Sequence, residues 1–111
     1  MAKFEHTQGL DYVEFDKTIS MYCPLGKEPY TAKVGVSFEP GQYMMDYLDM
    51  EAFFKKVQGS NLIIEDLVET VYNHLDEEYA PKWMMVTVEA TNAAHFPVKV
   101  AKSKRTILEL K

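Results

Sequence analysis

Hydrophobic residues change their spacing twice along this chain. Val13, Phe15, Ile19 and Met21 alternate with polar or mixed neighbours, the period of a strand with one buried face. Pro24, Gly26 and Pro29 punctuate the connection that follows. Ala32, Val34, Val36 and Phe38 then alternate with Lys33, Gly35, Ser37 and Glu39, and Pro40-Gly41 ends this second strand. From Met50 the period lengthens. Met50, Phe53, Phe54 and Val57 form the stripe of an amphipathic helix, and Ile64, Leu67, Val68, Val71 and Leu75 repeat it in a second. Gly59-Ser60-Asn61 is expected to stop the first helix and cap the next, and Pro81 to close the helical region. Met84, Val86, Val88 and Ala90 return to alternation. Phe96, Val98 and Val100 do the same after a Thr91-Asn92-Ala93-Ala94 turn.

The order ββααββ predicts an α+β fold in which two hairpins make a four-stranded antiparallel sheet with both helices on one face. With no internal repeat and only 111 residues, the chain reads as one domain, 1–111. The second sheet face and the sheet edges are left open. Subunits can then join edge to edge into a barrel, so a homo-oligomer is expected.

Composition narrows the function classes. Hydrophobic residues at 47% with charged residues at 26% describe a globular protein, not a disordered one. No apolar run approaches the roughly 20 residues of a membrane span, and Met1-Ala2-Lys3-Phe4-Glu5 has no signal-like apolar core. The net charge of −5 argues against a dedicated nucleic-acid binder. Charge is nevertheless uneven, with acids concentrated from Pro40 to Glu78. After Pro97, Lys99, Lys102, Lys104, Arg105 and Lys111 face Glu109 alone, a pattern that suits either a solvated edge or contact with an RNA backbone.

Cys23 is the only cysteine, so it forms no internal disulfide and supplies no multi-cysteine zinc site; a free thiol suits a reducing, cytoplasmic location. It reads either as a buried small hydrophobe or as a nucleophile. His6, His74 and His95 are far apart and lack ligand spacing, so no metal is expected. His95, in the turn before the last strand, is the histidine placed to line a site.

Cys23-Pro24-Leu25-Gly26-Lys27-Glu28-Pro29-Tyr30-Thr31-Ala32 resembles the Cys-Pro-Leu-Thr-Gly-Gln-Pro-Asp-Phe-Ala segment of the QueF family within the tunnel-fold superfamily. Ile64-Glu65-Asp66-Leu67-Val68 is similar to the family's His-Glu-Asp-Cys-Val, and Glu78-Tyr79 followed by Trp83 resembles the run into its third strand. The resemblance covers about residues 20–100. It implies a tunnel fold, ring-shaped oligomers with sites at subunit junctions, and a deazapurine ligand. Family reductases convert 7-cyano-7-deazaguanine (preQ0) to its aminomethyl form with NADPH, and archaeal QueF-like members transfer an amidine onto the base in tRNA. On this resemblance Cys23 matches the nucleophile that adds to the nitrile, and Glu65 the carboxylate that anchors the purine edge. Without the resemblance, Glu65 reads as a first-turn carboxylate serving the helix dipole.

The departures shape the expected chemistry. The family's acidic proton donor falls here on Tyr30, and its histidine before the anchor glutamate on Ile64. Tyr30 is a weaker acid than a carboxyl group, and Glu28 could compensate if the loop presents it inward. As the bland alternatives, Tyr30 is a strand aromatic and Glu28 a solvated turn residue. The reductases' lysine-bearing nicotinamide stretch falls on Met45-Asp46-Tyr47-Leu48-Asp49-Met50-Glu51, whose acids repel cofactor phosphates. The expectation is a thioimide-forming enzyme of amidinotransferase type without a cofactor, acting on the free base or on RNA carrying it. The alternatives are an NADPH-dependent nitrile reductase and a non-catalytic purine- or pterin-binding protein.

Overall fold

The computed structural model describes residues 4–5, 9–93 and 96–103. Its elements in chain order are β1 (Phe4–Glu5), β2 (Val13–Cys23), β3 (Glu28–Glu39), β4 (Tyr43–Met44), α1 (Tyr47–Val57), α2 (Ile64–Tyr79), β5 (Trp83–Ala93) and β6 (Phe96–Ser103). The four long strands form an antiparallel sheet in the order β2-β3-β5-β6, so the expected hairpins are its two halves. β1 and β4 add a separate pair of two-residue strands, too short to leave a periodic signal in the sequence.

Register explains the burial. Phe15↔Val36, Ile19↔Ala32 and Met21↔Tyr30 pair β2 with β3, while Val34↔Val88 and Val36↔Val86 pair β3 with β5. Partners in an antiparallel ladder share a face, so these residues make one apolar surface. Ala32, Val34, Val36, Phe38, Met84, Val86, Val88 and Ala90 are fully buried on it, under Leu67, Val71 and Leu75 of α2 and Met50 and Phe54 of α1. Burying the valine, leucine, methionine and phenylalanine side chains among them contributes about 1.5–3 kcal/mol each. The opposite face carries the row Thr18, Lys33, Glu89 and Lys99, paired strand to strand, and stays wet.

Several boundaries differ from the sequence expectation. β3 starts at Glu28, so Pro29 lies inside the strand opposite Tyr22 and not in the connection. Pairing with β5 begins only at Ala32, so on that side Pro29 has no ladder bond to lose. β5 continues to Ala93 with a register irregularity after Ala90, which absorbs most of the expected turn.

The Asn61 cap is not observed. α2 has Ile63 at its N-cap, with no side-chain capping bond, and Asn61 instead bridges in parallel to Tyr22. Gly59, at φ 83°, does follow the first helix as its stop requires. Gly41 is needed for space, because a Cβ there would meet the Ala80 carbonyl oxygen at 2.6 Å.

α1 and α2 also touch directly: Phe53 and His74 stack face to face, ring centroids 3.9 Å apart. Lys102 of β6 reaches back to Glu69 of α2, 2.5 and 2.9 Å from its two carboxylate oxygens, and lies over the Tyr72 ring. This lysine of the basic tail is thus engaged within the fold. Lys104, Arg105 and Lys111 lie outside the described residues, as does His6.

Candidate functional site

Cys23 is the last residue of β2 and sits on the helix-facing side of the sheet, in line with Ile19 and Met21. It is 9% exposed. The chain turns over Pro24–Lys27, closed by the Lys27 N–H donating to the Cys23 carbonyl at 2.8 Å. Lys27 adopts φ 55°, a conformation that costs a non-glycine residue about 1 kcal/mol or more. The turn aims the Gly26 N–H at the Cys23 sulfur, 3.3 Å away. A donor there solvates negative charge on the sulfur.

β3 returns beside this turn, with Glu28 paired to Cys23 and Tyr30 to Met21. Cross-strand partners and next-but-one neighbours share a face, so Cys23, Glu28 and Tyr30 all point to the helix side. The third contributor arrives from far along the chain. The segment between α1 and α2 runs along the outer edge of β2: Gly59 N–H donates to Ser20 C=O at 2.8 Å, and Tyr22 N–H to Ser60 C=O at 3.3 Å. The Tyr30 hydroxyl then donates to the Leu62 carbonyl at 2.5 Å. These attachments bring the first turn of α2, with Glu65, to the end of the sheet where Cys23 lies.

The result is a cavity of about 210 Å³ lined by Cys23, Leu25, Gly26, Tyr30, Ile63, Ile64, Glu65 and Val98. Its walls are mainly apolar, and among the described residues Glu65 is the one carboxylate that lines it. Of the expected site residues, Cys23, Tyr30 and Glu65 therefore meet in one place. Glu28 is half-buried beside them: its carboxylate and the Cys23 sulfur both lie within 4.0 Å of where a Gly26 Cβ would stand. His95 lies outside the described residues.

Tyr30 differs from the free proton donor of the sequence expectation. Its only O–H proton is directed to Leu62, and its side chain is 3% exposed. Burial, with the negative charges available to Cys23 and Glu65 adding to it, pushes the phenol up to about 12. Both features oppose proton donation, although the phenol oxygen keeps lone pairs that can accept.

Leu25 stands in the Cys-Pro-Leu run, whereas Ile63 and Val98 are wall residues that the sequence did not single out. Of these two, only Val98 had a signal, its inward place in the Phe96, Val98, Val100 alternation.

The stretch Met45–Glu51 is far from this cavity. Met45 is buried in the core, and Asp46 is the N-cap of α1, accepting from Leu48 N–H at 2.9 Å and Asp49 N–H at 3.4 Å. Tyr47, Met50 and Glu51 instead line a groove with Phe15, Asp16 and Lys17, near the start of β2. Eight residues of extended strand separate Phe15 from Cys23, roughly 25 Å. Within one chain, then, these acids do not act on the Cys23 cavity.

Among the described residues no group of three histidine, cysteine, aspartate or glutamate side chains stands close enough to hold a metal ion. No described helix is long and apolar enough to cross a membrane.

No protein-family model matches the chain, and no curated protein matches it in sequence. The fold does have a solved counterpart, the apo form of the archaeosine synthase QueF-Like. That structure aligns over 90% of this chain and 99% of its own with a TM-score of 0.81 at 16% identity. At such identity the likeness establishes architecture: the chain has the QueF-like tunnel fold, α+β, with a four-stranded antiparallel sheet and two helices.

Proposed function

We propose that this protein binds 7-cyano-7-deazaguanine and that Cys23 adds to its nitrile. The observation that carries the reading is the meeting of Cys23, Tyr30 and Glu65 in one small, mostly apolar cavity, on a fold shared with an archaeosine synthase. A planar heterobicycle suits apolar walls, and the Glu65 carboxylate suits its adjacent ring and amino N–H donors.

In the proposed step the sulfur forms a bond to the nitrile carbon, and one C≡N π bond breaks. The nitrogen takes up the proton lost from the thiol, leaving a covalent thioimide. The Gly26 N–H faces the sulfur beforehand. With the Tyr30 proton engaged at Leu62, Glu28 is the group beside the sulfur best suited to carry the proton across. Ammonia or a primary amine then adds to the thioimide carbon and expels the thiol, giving an amidine. The substrate is the free base or the same base in RNA, and the site completes itself at a junction between copies of the chain.

Intact-protein mass spectrometry after incubation with the base tests this. The expected result is a gain of one full molecule of 7-cyano-7-deazaguanine, absent in Cys23→Ala and discharged by ammonium but not by NADPH. Discharge by NADPH alone would make the protein a nitrile reductase. Binding without an adduct would make it a purine-binding protein without this chemistry.

A further inference from the structure

We propose that Tyr30 is a positioning residue. Its hydroxyl, bonded to the Leu62 carbonyl, holds the start of α2 so that the Glu65 carboxylate faces the Cys23 cavity. The inference rests on the purine-anchoring reading of Glu65 given above.

Three observations carry it. First, α2 begins without a side-chain cap, so no side chain at its own N-cap fixes where its first turn lies. Second, the approach to α2 is tied down stepwise. Gly59 is bonded to Ser20 at 2.8 Å, Ser60 to Tyr22 at 3.3 Å, and Asn61 bridges to Tyr22. The Tyr30–Leu62 bond is the last of this series, three residues before Glu65, and it spans 32 residues of sequence. Third, Tyr30 lines the same cavity as Cys23 and Glu65. It lies on β3, whose register sets it two places from the position opposite Cys23, and its hydroxyl ends on the chain leading to Glu65.

One phenol therefore links the sheet that carries the sulfur to the helix that carries the carboxylate. Its single proton is used in that link, which separates this role from proton donation to the substrate. A ring this deeply buried also holds its hydroxyl in a fixed place, so the carbonyl it binds is fixed too.

A double-mutant cycle tests the proposal. Dissociation constants for 7-cyano-7-deazaguanine are measured by calorimetry in a Cys23→Ala background, which keeps binding reversible, for Tyr30→Phe, Glu65→Gln and both together. Tyr30→Phe should weaken binding about tenfold alone and less than about twofold when Glu65 is already Gln. With Cys23 restored, Tyr30→Phe should form the adduct at saturating base within about threefold of the unsubstituted rate.

Equal weakening in both backgrounds would overturn the proposal in favour of a general structural role. So would a hundredfold loss of rate at saturation with unchanged binding, which would make Tyr30 the proton donor. A ligand-free measurement stands apart from the function. Amide exchange over residues 61–66 should be about tenfold faster in Tyr30→Phe, and unchanged exchange would remove the tether itself. If the unsubstituted protein bound no base while this exchange still rose, the functional reading would fail and the tether would stand.

Discussion

The two helices begin in opposite ways. α1 carries its own start: the Asp46 carboxylate caps the first turn by accepting from Leu48 and Asp49 N–H groups, and everything needed lies within four residues. α2 has no such cap, and its start is set by contacts with Ser20, Tyr22 and Tyr30 on two strands. The first helix start is an architectural joint at one end of the sheet. The second faces a cavity beside a cysteine at the other end. Local chemistry suffices where a helix needs only to form. Where a side chain must meet another from a distant segment, long-range contacts fix the position.

Substitutions at the two starts should separate these roles. The largest effect is expected at Glu65. Glu65→Gln replaces a charged double acceptor by an amide that turns a donor toward one of the base's donors, and should weaken binding of 7-cyano-7-deazaguanine by roughly a hundredfold. Its thermal midpoint should hardly move, because Glu65 is exposed and makes no capping bond. Asp46→Ala should do the reverse. Loss of the cap should cost about 1 kcal/mol, a fall of roughly 4–8 °C in the midpoint of thermal unfolding, with base affinity unchanged. Comparable loss of affinity in both variants, read by calorimetry, would erase the distinction between the two ends.

A smaller effect is expected at high pH. In the unfolded chain the Tyr30 phenol ionises near its ordinary value of 10.0, whereas in the folded protein burial first, and then Cys23 and Glu65, hold it to about 12. The folded state thus keeps a proton that the unfolded state releases. The stability linked to Tyr30 is complete below pH 10 and is lost as pH rises from 10 through 12. Denaturant titrations across that window should show a steeper fall for the unsubstituted protein than for Tyr30→Phe. Equal slopes would mean that Tyr30 is not the buried phenol responsible.

The contrast between the helix starts also marks what the sequence could reveal. Alternation at Ala32, Val34, Val36 and Phe38 reports a buried strand face, because each of those side chains reaches the core directly. The Met50, Phe54, Val57 stripe reports α1 for the same reason. The alternation of Ile19, Met21 and Cys23 carries β2 to its end, whereas the extension of β3 back to Glu28 is hidden, since Glu28 and Pro29 carry no hydrophobic period.

The start of α2 is hidden more deeply. Asn61 has the chemistry of a cap, yet it stands at a parallel bridge to Tyr22, two residues before the Ile63 N-cap. The acceptor that fixes the site, the Leu62 carbonyl, belongs to the main chain and has no residue type to betray it. Cys23, Tyr30 and Glu65 were legible as candidates through a family resemblance. Their meeting needed the fold, and Ile63 entered the wall by position alone.

Hydrogen exchange with and without 7-cyano-7-deazaguanine tests most directly whether function resides at the second helix start. Exchange should slow over residues 22–30 and 61–68, the two segments that form most of the cavity, and stay unchanged over 43–51 around the Asp46 cap. Protection centred on 43–51, with none at Cys23 or Glu65, would contradict it and move the ligand to the other end of the sheet.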